Sequence, residues 1–185
     1  MKACILCPGP SLMCLVGTDP RSRYELIVGV NRAAEAFQCD YWVALDTCTF
    51  GMTQALGHPV LVTSAAHYRK MCLQWPGAAD FESLDPKTLA SHKLAPGWTT
   101  KGLLTAIVVA YAKGAGVIDC LGVDWEGTED FDGKTFPGQV RTAKRWEKEA
   151  RWFDILKTIL GKQGVSVTRM TETRSVDSHS ERGCR

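Results

Sequence analysis

Residues 2–11, Lys2-Ala3-Cys4-Ile5-Leu6-Cys7-Pro8-Gly9-Pro10-Ser11, decide the fold. Five apolar residues follow one another without polar alternation, as a strand covered on both faces requires, and the run passes straight into a turn of prolines, glycine and serine. A buried strand ending in a tight turn is the opening unit of a helix-covered parallel sheet. The pattern then recurs: a short apolar run, a break containing Gly, Asn or Asp, and a helical or irregular stretch. Strands are expected at 2–7, 26–30, 41–45, 60–63, 117–121 and 165–169. The expected fold class is α/β: a Rossmann-like, mostly parallel sheet of about six strands with helices on both faces.

Helical signals are clearest in the second half. Thr99-Thr100-Lys101-Gly102 precedes the apolar run 103–111, and Gly114 and Gly116 follow it, so threonine capping is expected to open a buried helix and glycine to close it. From about residue 141 to 160, Trp146, Ala150, Phe153, Leu156 and Leu160 recur at intervals of three and four, the stripe of an amphipathic helix packed on the sheet. Shorter helices are expected at 32–37 and 65–71. Segments 74–96 and 126–138 read as irregular, and loops of that length in a compact domain usually carry function. One domain over 1–171 is expected, with a disordered tail at 172–185 that has almost nothing to bury.

Charge and cysteine content narrow the class. The chain has 185 residues, 22 basic and 20 acidic, and its net charge of +2 gives no argument for a nucleic-acid or membrane surface partner. The longest apolar stretch, 103–112, is about half of the roughly 20 residues that a membrane span needs. The first residues lack a signal-peptide layout, so no membrane span and a cytoplasmic location are expected. Most of the eight cysteines sit singly in apolar runs, as reduced thiols do. Cys4 and Cys7 imitate half of a metal motif, but they are three apart in a strand and point to opposite faces; no metal site is expected. His58, His67, His92 and His179 are scattered.

Chemistry is expected at the strand ends. Glycine in Pro8-Gly9-Pro10-Ser11 lets a ligand approach the backbone, and turn amides pointing outward would receive phosphate. The second strand ends at Asn31 and the third at Asp46, each suited either to ligand contact or to capping the next helix. Asp124 and Trp125 join the same rim. Thr99, Thr100 and Lys101 put two hydroxyls and a cation at a helix start, a competent phosphate seat. Arg141, Arg145, Trp146, Glu147 and Glu149 open the long helix, where arginines suit a phosphate or acceptor and an acid suits a base.

Taken in order, 8–12, 28–31, 42–46, 97–102 and 118–125 resemble the superfamily that joins single-Rossmann bacterial sialyltransferases to Maf-type and pterin-diphosphokinase-like proteins. The resemblance covers roughly 2–170, and at this size the chain also looks like compact phage-encoded members. It implies that Gly9, Ser11 and Asn31 hold a nucleotide, that Thr99 and Thr100 hold its phosphate, and that no metal is needed; Pro10 joins the nucleotide site with its turn, and Lys101, which departs from the family's helix-start motif, joins the phosphate site by its charge. No histidine follows residues 122–125 before His179, so the family's catalytic histidine has no counterpart here and the base would be Asp46, Asp124 or Glu147.

The expected function is a metal-independent glycosyltransferase that requires no cofactor and takes a nucleotide-sugar donor. Its acceptor, a glycan, a small molecule or a modified nucleic acid, stays open. Two alternatives stand beside it: an Mg²⁺-dependent diphosphokinase acting on a pterin-like alcohol, with Asp46 or Asp124 on the metal, and a non-catalytic nucleotide- or nucleic-acid-binding module.

Overall fold

The computed structural model describes residues 1–45, 57–89, 94, 96–99, 101–135 and 142–170. Among these described residues seven strands form one sheet: β1 (Lys2–Leu6), β2 (Leu26–Val30), β3 (Tyr41–Val43), β4 (Val60–Val62), β5 (Ser83–Leu84), β6 (Val117–Leu121) and β7 (Ser166–Arg169). Their order is β5-β4-β3-β2-β1-β6-β7, and every adjacent pair is parallel. The Rossmann-like α/β expectation therefore holds, with one strand more than expected. The added strand, β5, lies inside the stretch read as irregular; two residues on a sheet edge, one of them polar, leave no periodicity to read.

Continuous apolar strands bury both faces. Ala3, Ile5 and Cys7 pack on one side with Val28, Val30, Ile118 and Cys120, while Cys4 and Leu6 pack on the other with Ile27 and Trp42. The first side is covered by α3 (Pro86–Leu89), α4 (Gly102–Ala112) and α5 (Ala143–Gly161). The second is covered by α1 (Ala33–Ala36), α2 (Ala65–Gln74) and short 3-10 helices at Pro10–Leu15 and Pro76–Asp80. In α5 the apolar stripe lands as its spacing requires: Phe153, Leu156 and Leu160 are buried, each contributing about 1.5–3 kcal/mol. In α4 the residues from Leu104 to Ala110 are all buried, which is why its sequence shows no polar face. Among the described residues no helix is long and apolar enough to cross a membrane.

One capping expectation is corrected. Lys101, not a threonine, is the N-cap residue of α4, and no side chain caps the helix. Thr99 belongs to a separate 3-10 helix, Pro96–Thr99, and Thr100 lies outside the described residues.

From β1 the chain steps outward through β2 to β5, then crosses back to place β6 on the other side of β1. The strand order reverses between β1 and β6. At that point the connections leaving β1 and β6 diverge, and the C-terminal edge of the sheet opens into a crevice.

Candidate functional site

The crevice floor is made where the turns after β1 and β6 interlock. The Cys7 amide donates to the Leu121 carbonyl at 2.8 Å and the Gly9 amide to the Gly122 carbonyl at 3.0 Å. Gly122 has φ +68, and a Cβ there would collide with the Cys7 carbonyl; a Cβ on Gly9 would meet Asp124 Oδ2 at 2.6 Å as well as the Gly122 carbonyl. Both positions need glycine, one for its left-handed backbone and both for the close approach.

This interlock changes the expected chemistry of the turn. Its amides do not point outward: Ser11 N–H donates to Asp124 Oδ2 at 2.6 Å and Leu12 N–H to the Gly9 carbonyl at 3.0 Å. Pro8 and Pro10 have no amide to offer. The Asp124 carboxylate thus sits at the start of the Pro10–Leu15 helix, where an anion would otherwise go. Ser11 Oγ is buried and has no hydrogen-bond partner among the described residues.

The second wall rises from β2. Asn31 is 7% exposed and holds φ +48, a left-handed conformation that asparagine tolerates better than other side-chain-bearing residues. Its backbone is fixed from β3, since its amide donates to the Val43 carbonyl and its carbonyl accepts from Trp42 Nε1 at 2.9 Å. Beside it begins α4. The first intrahelical bond runs from Thr105 N–H to the Lys101 carbonyl, so the amides of Gly102, Leu103 and Leu104 precede it. Lys101, Gly102 and Leu103 line the crevice, and the exposed Lys101 ammonium has no partner among the described residues.

The third wall comes from the loop after β6 and the first turns of α5. Trp125 meets Phe153 edge-on at 5.4 Å and lies 4.5 Å beneath the Arg169 guanidinium, whose Nε donates to the Val123 carbonyl. Thr142 caps α5 by accepting from the Arg145 amide. Arg145 Nε donates to Glu149 Oε1 at 2.9 Å, one turn away, and its guanidinium covers the Trp146 ring at 5.5 Å. Trp146 Nε1 donates to the Gly127 carbonyl at 3.4 Å, tying helix to loop. Trp146 was expected in the stripe packed on the sheet; it lines the crevice instead, because the stripe turns from core to rim over the helix's first turns.

Together these walls bound a crevice whose empty space, open solvent at the mouth included, is about 750 Å³. Among the described lining residues are four carboxylates, Asp124, Glu126, Glu129 and Glu149, and two cations, Lys101 and Arg145. Cys7 lies at the floor; burial, and then the nearby Glu149 charge, push its thiol far up, which favours the thiol over the thiolate. Among the described residues no three His, Cys, Asp or Glu gather in a metal-holding arrangement.

Gly9, Asn31, Lys101, Asp124 and Arg145 therefore converge on one crevice. Pro10, Ser11 and Thr99 stand outside its lining, the last buried beneath α4's start. Glu147 is exposed and off the crevice; Glu149, two residues and about 200° further round the helix, takes the inward position. Asp46, Thr100, Arg141 and the tail lie outside the described residues. Glu149 was legible as the residue one turn after Arg145 and one before Phe153, whereas Glu126 and Glu129 sit on an irregular loop with no period to place them. The chain matches no protein-family model and no curated protein sequence.

Proposed function

We propose that the chain is a nucleotide-dependent group transferase: a metal-independent glycosyltransferase that takes a nucleotide-sugar donor. One observation carries the reading. The crevice lies at the strand-order reversal between β1 and β6, where open α/β sheets receive nucleotides, and an uncapped helix start with a lysine forms part of its wall.

In this reading the base and ribose lie against Asn31 and the floor at Gly9. The phosphate goes to Lys101 and the first amides of α4, because the turn after β1 has already spent its own amides on Gly122 and Asp124. The sugar and acceptor then face Trp125, Trp146 and Glu149. The acceptor oxygen forms a bond to the anomeric carbon, the bond from that carbon to the phosphate oxygen breaks, and the phosphate departs with the electron pair. Lys101 and the helix amides stabilise that charge, and the acceptor proton passes to a crevice carboxylate, Asp124 or Glu149.

A second reading rests on the excess of carboxylates over cations in the lining. An acidic crevice admits a triphosphate together with Mg²⁺, which one or two carboxylates and the phosphate oxygens would hold, as diphosphate transfer from ATP to a pterin-like alcohol needs.

A thermal-shift screen against CMP, UDP, GDP, ATP and their sugar conjugates, each with and without Mg²⁺, separates the two, since a ligand bound only by the folded chain raises its melting temperature. A metal-independent rise with one nucleotide and its conjugate is the expected result. A rise confined to ATP with Mg²⁺ moves the assignment to the diphosphokinase. Flat curves throughout sink both and leave a module with a macromolecular partner.

A further inference from the structure

Two walls of the crevice rise from different elements. Asn31 ends β2 on one side, while Glu126 and Glu129 ride the loop after β6 on the other. Their connection runs behind the lining, through the residue that follows Asn31. Arg32 is 5% exposed, and its guanidinium makes a fork on Asp132, with Nη1 donating to Oδ1 at 2.8 Å and Nη2 to Oδ2 at 2.7 Å. Nη1 also reaches Asp130 Oδ2 at 3.4 Å, and Nε donates to Glu35 Oε2 at 2.9 Å. The Phe131 ring, between the two aspartates in sequence, lies 5.8 Å from the guanidinium, and its amide donates to the Pro8 carbonyl at 2.8 Å. Lys134 Nζ closes the cluster on Asp132 Oδ2 at 3.0 Å.

A buried ionic network of this kind adds little stability over well-packed apolar residues. What it contributes is one geometry. The two-pronged bond to Asp132 has a fixed plane and direction that lysine cannot reproduce, and the side chain that makes it is covalently next to Asn31. The same loop, held at Asp130 and Asp132, carries Glu129 and Glu126 a few residues upstream. We propose that Arg32 is a positioning residue of the crevice: it lines no part of it, yet it sets the spacing between the Asn31 wall and the Glu126–Glu129 wall, and ligand affinity depends on that spacing.

Removing Arg32 outright would leave three carboxylates facing one another and can unfold the domain, so the test is made at Asp132, whose side chain is 23% exposed. In the full chain, Asp132→Asn should speed amide hydrogen exchange across 124–135 by about tenfold or more, leave β1 and β6 amides unchanged, and be partly rescued by Asp132→Glu. Titration with CMP and UDP, well below the melting temperature of each protein, should show affinity weakened by about tenfold in Asp132→Asn and partly restored in Asp132→Glu, a loss in the fully folded variant that a merely structural role would not produce. The affinity readout rests on the nucleotide reading; the exchange readout does not. If wild-type protein takes up neither CMP nor UDP, the titration moves to GDP and ATP; if it takes up none of the four, the nucleotide reading fails and exchange alone decides the clamp. Unchanged loop protection in Asp132→Asn overturns the proposal, as does a loosened loop with unchanged affinity.

Discussion

The turn after β1 and the start of α4 use similar residues, glycine beside a small or polar neighbour, and arrive at opposite states. In the first, the amides of residues 7, 9, 11 and 12 all donate inside the protein, and a carboxylate from the β6 side occupies the helix start. In the second, no side chain caps the helix, and a lysine with no partner among the described residues stands over its first amides. The difference teaches that a glycine-rich strand end is an anion site only if its amides are left over once the neighbouring strand has been packed.

The largest break in this comparison comes from Gly122→Ala. A methyl group at φ +68 and against the Cys7 carbonyl should unlock the two turns and cost about 4 kcal/mol, or prevent folding, as urea denaturation would show. A loss under about 1 kcal/mol would mean that the turns are not interlocked.

Next in size is Asp124→Ala, which strips the Ser11 amide of its acceptor and should cost about 2 kcal/mol. Asp124→Asn, whose amide oxygen can still accept, should cost about 1 kcal/mol by the same measurement. If Asp124→Asn keeps most of its stability and Glu149→Gln alone stops transfer, Asp124 positions the turn and Glu149 is the base; loss of transfer in both would give Asp124 a share of the chemistry.

Lys101→Ala sharpens the other side of the comparison. Lys101 is exposed and unpaired among the described residues, so stability should move by no more than about 0.5 kcal/mol. Titration calorimetry should nonetheless show CMP binding weakened by about fivefold, equivalent to about 1 kcal/mol. Unchanged affinity would move the phosphate away from α4.

The smallest effect is a pH dependence at the clamp. The Arg32 fork, and then Lys134, hold the Asp132 carboxyl well below its ordinary value of 3.8. A depressed carboxyl contributes stability that is present above its unfolded pKa and is lost as pH falls through the folded one. The stability gap between wild type and Asp132→Asn should therefore be flat from neutral pH to about pH 5 and shrink below about pH 4. A gap that widens on acidification would contradict the assignment.

The sheet was largely legible because its strands are continuous apolar runs, and the expected limits of six of them fall within two residues of those observed. The site was legible as a rim but not as a set of roles. Asn31, Asp124 and Lys101 were readable as polar residues at strand or helix ends. Glu149 was passed over for Glu147, although its place one turn after Arg145 and one before Phe153 marked it as the acid that the helix turns inward. The clamp at Arg32 carried no signal, because the aspartates it holds, unlike its neighbour Glu35, are 98 and 100 residues away.

Local pattern was enough for the class of fold and for the edge at which polar groups gather: apolar continuity demands two covered faces, and each strand must end in something polar. The use of those polar groups was settled only in three dimensions. Whether an amide is open or spent, a carboxylate free or holding a turn, an arginine on the surface or clamping two walls together depends on groups distant in sequence and adjacent in space. Hydrogen bonds and ion pairs act over about 3 Å and carry no local pattern by which a chain could announce its partner.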